Sequence, residues 1–302
     1  MEPPYFQEGA LARMEAVSPS PARAWALLAR FVRRKPLGAL GGLVMCAFVV
    51  AAIAASLLAP YSPEEIHRQQ RFEPPGAQFV LGTDHLGRDI LSRIIFGAQV
   101  SLLVGATAVV TGTSLGTVLG VVSGYAGGKI DALIQRAIET VMAFPLLVLA
   151  LTLVTALGPS LWNVTIAISV ILLPEAARVI RGQALSVKEN QYVEAARAVG
   201  CTNTRIVFRH ILPQCVASAI VLASVQLGYA IVVEATLSFL GVGTPPPETS
   251  WGAMLSGLSR LYLEKAPWMA IFPGVALTAT VFGVNLFGDA LRDVLDPRLR
   301  GR

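Results

Sequence analysis

Long uncharged apolar stretches recur along the chain, separated by segments rich in charge, proline and glycine. The first runs from Leu37 to Ala59 without one charge. Others cover residues 98–122, 138–157, 161–180, 213–233 and 268–288. Each is close to the ~20 residues that a helix needs to cross the hydrocarbon core of a bilayer. The third has Glu139 at one edge and Pro145 inside, and the fourth has Glu175 and Arg178 near its end. None shows the polar–apolar alternation of a transmembrane barrel strand. The pattern predicts an all-α integral membrane protein with six transmembrane helices.

Composition agrees with that prediction. Only 14% of the 302 residues are charged, 54% are hydrophobic, and the mean hydropathy is +0.62. A soluble domain carries roughly 25% charged residues, so this chain cannot clothe a water-facing surface. It is equally far from the polar composition of a disordered chain. The first apolar run starts too late and is too long for a cleaved signal peptide.

Charge then sets an orientation. With the N-terminus inside, the inner segments hold 18 Lys and Arg residues and the outer segments hold 6. The positive-inside rule predicts cytoplasmic N- and C-termini. The same asymmetry accounts for the net charge of +5, with no need of a nucleic-acid partner.

The chain divides by composition into three parts. Residues 1–24 read as a flexible cytoplasmic tail. Residues 25–97 hold the first span and an extracytoplasmic loop. Residues 98–302 form a five-helix core with a cytoplasmic loop at 181–212. In the outer loop, Leu81–Arg93 reads as a turn entering a short helix, with Thr83 or Asp84 as its cap. A second outer loop, 241–267, contains Pro245-Pro246-Pro247 and Trp251. In the second span Gly112, Gly116, Gly120 and Gly124 recur every four residues, and Gly128 continues the series. Such a ridge without side chains lets another helix approach closely, within the chain or in a partner subunit. Pro145 and Pro174 lie inside spans and predict kinks.

Tests for chemistry along the chain are negative. Lys129 is the one lysine in a glycine-rich setting, but the spacing is not that of a phosphate-binding loop and Ile130 stands where Ser or Thr is required. GxSxG, HExxH and GxGxxG are absent. The three histidines are dispersed, and Cys46, Cys201 and Cys215 form no CxxC, so neither a catalytic set nor a metal site is expected. An ion-driven carrier needs ionisable groups within the membrane. Glu234, Asn285 and Asp289 lie towards span ends, which gives an ion-driven secondary transporter little support; it is kept as the alternative.

The inner loop is the most informative segment. Residues 191–199 contain good helix formers, and Gly200 can end the helix. Val193, Ala196 and Val199 fall near one face, with Glu194 and Arg197 beside it. Such a helix is too short to span. Its small apolar face suits docking in a partner's groove or lying on the lipid surface.

Glu194-Ala195-Ala196 with Gly200, followed by Ile211-Leu212-Pro213, resembles the EAA loop of ABC importer permeases. His210 departs from the family's apolar residue at that place. Three further segments resemble the second, C-type, permease subunit of dipeptide, oligopeptide and nickel importers. They are Leu81-Gly-Thr-Asp through Gly87-Arg-Asp to Arg93; Glu234-Ala through Phe239-Leu-Gly, with Ser250-Trp-Gly252; and Phe272-Pro-Gly274 through Asn285 to Gly288-Asp and Asp296-Pro-Arg298. The similarity runs from about residue 25 to the end.

The resemblance implies a type I ABC importer permease fold in a bacterial or archaeal cytoplasmic membrane. It implies a second, related permease subunit, two ABC ATPase subunits that hold ATP and Mg, and an extracytoplasmic substrate-binding protein. This chain itself would hold no cofactor and no metal and would not be an enzyme. Tyr192, Val193, Glu194, Ala195, Ala196, Arg197, Val199 and Gly200 would form the joint with the ATPase. Asp84, Arg88 and Trp251 would lie on loops facing the binding protein. Peptides are the first expectation for cargo, with nickel chelates or other small solutes as alternatives.

Overall fold

The structure, a computed structural model, describes residues 32–33, 35–257 and 261–295. The expected N-terminal tail and the Asp296-Pro297-Arg298 motif lie outside the described residues. The elements are α1 (Pro36–Ile53), α2 (Ala55–Leu58), α3 (Ile90–Ala126), α4 (Gly128–Met142), α5 (Leu146–Leu157), α6 (Leu161–Lys188), α7 (Gln191–Ala198), α8 (Asn203–Ile206), a π-helical turn (Val207–Ile211), α9 (Leu212–Phe239), α10 (Trp251–Leu255) and α11 (Trp268–Leu295). Helices α1, α3, α6, α11 and the continuous run Asn203–Phe239 are each long and apolar enough to cross a membrane.

Close contacts between helices fix their directions. Gly38 of α1 meets Ala290 of α11, and Gly41 meets Gly283 and Leu286, so these two helices are antiparallel. A Lys35–Asp293 ion pair (2.5 Å) joins their ends. This end of the bundle is called the terminal end, and the opposite one the far end. Helices α3 and α9 are also antiparallel: Ser101 meets Glu234, and Gly105 meets Ile231. By contrast, α3 and α6 run parallel, with Gly112 against Ser169 and Gly124 against Ala184.

Parallel packing requires the chain to return between them. Helices α4 and α5 make that return, and they meet at an angle of 89°. The third span is therefore broken, where the apolar pattern over 138–157 predicts one kinked helix. Pro145 is the physical reason. It lacks an N–H, and it disfavours helical backbone at Phe144 before it. Helix α4 is tied to the terminal end by Asp131, which accepts two hydrogen bonds from Arg181 (2.7 and 2.6 Å). Helix α6, in contrast, continues through Pro174.

The second span also differs from expectation. Helix α3 has 37 residues, about 55 Å, and begins at Ile90 instead of residue 98. The expected short helix is its first turns, so the 97/98 division falls inside it. Its cap is Asp89, whose Oδ2 accepts from the amide and hydroxyl of Ser92 at 2.7 Å each, and not Thr83 or Asp84. The glycine ridge is spent within the chain: side chains at Gly112, Gly116 and Gly120 would lie 2.6–2.7 Å from atoms of α6.

Candidate functional site

At the terminal end, α7 lies beneath α3, α6 and α9. Val193 and Ala196 are buried and belong to one apolar cluster with Val121, Ile180, Ala184, Val187, Ile206, Ile211 and Cys215. This corrects the expected single docking face. Val193 and Ala196 anchor α7 to its own chain, whereas Val199 is 80% exposed. Val199 follows the last helical residue, Ala198, as the C-cap. The outward surface consists of Tyr192, Glu194, Ala195, Arg197, Val199 and Gly200.

Gly200 closes the helix in a Schellman turn. Its amide donates to Arg197 O at 2.9 Å, and the Cys201 amide donates to Ala196 O at 3.0 Å. The turn needs a left-handed residue, and Gly200 has φ +81°. Open space surrounds the position of a Cβ there, so backbone conformation and not crowding sets the preference for glycine.

Neighbouring groups brace this end of α7. The Arg197 guanidinium sits 5.6 Å from the Tyr125 ring centre, and the Tyr125 hydroxyl donates to Asn203 Oδ1 at 2.7 Å. The π turn follows directly and leaves Phe208 and Arg209 exposed beside α7. Sequence reasoning missed Tyr125, Asn203 and Phe208. Tyr125 sits at the end of another span, and the apolar Phe208 looks like the start of a buried run. A π turn, often found at functional sites, has no local sequence signal.

The far end places its expected residues differently. Trp251 is 0% exposed. Its indole donates to Ile94 O at 3.0 Å, and its ring meets Phe48 edge-on at 5.4 Å, with Gly97 making room beneath. It locks α10 onto α1 and α3 and does not face outward. Asp84 is buried too. It accepts from the amides of Leu86 (2.8 Å) and Arg88 (2.9 Å) and from Arg88 Nε (2.7 Å). Asp84 and Arg88 therefore pin the turn between α2 and α3. Both do line a cavity of about 740 Å³ between the two far-end loops, with His85, Arg93, Thr244 and Glu248. Burial lowers the His85 pKa below the ordinary imidazole value; Asp84 opposes this, and Arg88, Arg93 and Arg71 add to it.

Glu234, expected near an interface, is wholly buried. It accepts from the hydroxyls of Ser101 (3.0 Å) and Ser238 (2.7 Å), next to Trp251. Asp289 is exposed towards the terminal end. Among the described residues no group of three His, Cys, Asp or Glu side chains is placed to hold a metal ion.

Comparison with known proteins decides the family. Residues 116–301 match the binding-protein-dependent transport system inner membrane component. The chain belongs to that permease family. Residues 23–75 of the permease match the N-terminal membrane domain of oligopeptide transport permease C, which makes it a C-type subunit. It is 41% identical over 285 residues to the dipeptide transport system permease protein DppC of Alkalihalophilus pseudofirmus, covering 94% of this chain and 92% of that one. It is 40% identical over 297 residues to the glutathione transport system permease protein GsiD of Escherichia coli, covering 98% of both. The permease is thus a multi-pass membrane subunit of an ABC importer, and the ion-driven carrier is set aside.

Proposed function

We propose that this permease forms one half of the translocation pore of an ATP-driven peptide importer in a bacterial or archaeal cytoplasmic membrane. A second, related permease completes the pore, and two ABC subunits at the terminal end bind ATP and Mg. A binding protein delivers peptide at the far end. One observation carries the reading: α7 is fixed to three spanning helices through Val193 and Ala196 and turns its other face outward.

Such a joint transmits force. A push on Glu194, Ala195, Arg197 and Val199 passes through the buried cluster into the ends of α3, α6 and α9. Closure of the ATPases then moves these helices as a body, in the manner of alternating access. Small residues at 195 and 200 permit close docking, and Glu194 offers a charge to a basic group. The family and the relatives' peptide and glutathione cargoes support a peptide-like substrate.

The test is purification of the tagged chain in mild detergent, followed by reconstitution. Co-purification of a second permease with P-loop ATPases, and ATP-dependent import of a dipeptide from its binding protein, are the expected results. A homodimer that imports peptide without ATP would refute the reading.

A further inference from the structure

Inside the bundle, a few turns from the terminal end, lies a polar group that the joint at α7 does not use. Glu175 stands at the middle of the 28-residue helix α6, and Gln226 at the middle of the 28-residue helix α9. Both are therefore about 20 Å from the helix ends. Gln226 is buried, and its amide donates to Glu175 Oε2 at 3.1 Å and to Leu172 O at 3.3 Å. Its Oε1 accepts from the Thr113 hydroxyl at 2.9 Å. The chain Thr113–Gln226–Glu175 holds the carboxylate in place from behind, while Glu175 itself is exposed.

An exposed carboxylate within a membrane-spanning helix is costly to turn towards lipid; such groups face a polar cavity, water or a partner charge. No Lys, Arg or His nitrogen among the described residues lies within 4 Å of it. The exposed arc of α6 also changes at Pro174. Trp162 and Ile166 mark it above, and Glu175, Arg178, Val179, Gly182 and Ser186 mark it below. At 100° per residue these arcs lie on roughly opposite sides of the helix. The apolar arc suits lipid and the polar arc suits water. On α9 the exposed Tyr229 lies within the field of the Glu175 charge. Beyond it the exposed Asn285 of α11 packs on Gly228.

Resting on the importer reading above, we infer that Glu175 is a cation-binding point on the wall of the translocation pathway, which receives the protonated amino terminus of a peptide in transit. Tyr229 and Asn285 supply neutral hydrogen-bonding groups along the same wall. A peptide leaving water for a membrane-spanning passage must keep its ammonium solvated. A carboxylate oriented by a buried amide does so inside the bundle.

The test uses the complete complex in proteoliposomes, with Cys46 and Cys201 replaced by serine. Val179→Cys, one turn below Glu175, is expected to react with trimethylammonium-ethyl methanethiosulfonate in preference to the sulfonatoethyl reagent. Glu175→Gln should reduce that preference about tenfold, and Ile166→Cys on the apolar arc should react with neither. Peptide imported per ATP hydrolysed should fall about tenfold in Glu175→Gln and largely recover in Glu175→Asp, with co-purification of the subunits unchanged. An inert Val179→Cys, a reagent preference indifferent to Glu175→Gln, or undiminished import would overturn the inference. Loss of the second permease from the Glu175→Gln complex would make Glu175 a subunit contact and overturn it equally. If the unaltered complex imports no peptide, the peptide reading itself fails, and the reagent preference still decides whether Glu175 presents a cation site.

Discussion

Val193 and Val199 belong to the same short segment and have opposite environments, which separates stability from coupling at single residues. Val193→Ala removes two buried carbons and should lower stability by about 2 kcal/mol, seen as an earlier thermal transition of the purified complex. Val199→Ala should leave that transition nearly unchanged and reduce import per ATP. Equal effects on both readouts would erase the distinction between anchor and contact. Gly200→Asp keeps a residue that tolerates left-handed backbone better than most but adds charge to the proposed docking surface. The expected outcome is an assembled complex whose ATP hydrolysis no longer drives import; normal import would remove Gly200 from the joint. At the far end, His85 is held neutral because burial lowers its pKa. Its folded state binds fewer protons than the unfolded one, so its contribution is present above about pH 6.5 and is lost as pH falls. Amide protection in residues 80–90, corrected for the intrinsic exchange rate at each pH, should therefore fall between pH 7.5 and pH 5.5, and His85→Gln should remove much of the difference. An identical pH response in the variant would mean that other groups set it. The residues Glu194 and Gly200 were legible from their motif. The burial of Asp84 and Trp251 was not, because a loop's polarity does not tell which of its residues fold back under it.

Helices α3 and α6 show how far one element's pattern reaches. Four-residue glycine spacing specifies a smooth ridge, and the parallel partner α6 occupies it. Gly116→Leu would drive its side chain into Ala176 and Leu173 O, 2.6–2.7 Å from where even a Cβ would sit. Overpacking of this kind costs about 1–3 kcal/mol or more. A lower thermal transition and lower membrane yield are expected, with Ser114→Leu on the exposed side as the neutral control. Should the two variants melt alike, the ridge is not tightly filled. The broken third span marks the limit of pattern reading. Apolar residues on both sides of Pro145 give a continuous hydrophobic stretch, yet proline removes the hydrogen bond that would keep it straight. Whether the helix then kinks or turns by 89° depends on what holds its first half. Here Arg181 grips Asp131 on another helix, a contact no local window contains.

At the scale of the molecule, the alternating directions of α1, α3, the bent pair, α6, α9 and α11 bring residues 35 and 293 to one end. Ser62→Cys at the far end should react with an impermeant thiol reagent applied outside the cell, and Ser186→Cys at the terminal end should be protected. The reverse labelling would invert the bilayer orientation and the whole assignment of ends. The sequence by itself determined membrane residence, the positions of the long apolar helices, the bias of positive charge and the permease family's motif around Glu194. Each follows from local properties: apolar length, charge count and residue spacing. Tertiary structure alone decided which face of α7 is anchored, that Trp251 and Glu234 are sealed inside, and that Glu175 stands exposed halfway along α6. Those outcomes depend on helix rotation, and rotation is set by which helices meet. Residues as distant in the chain as Thr113, Glu175 and Gln226 acquire a joint role only once three separate helices have packed side by side.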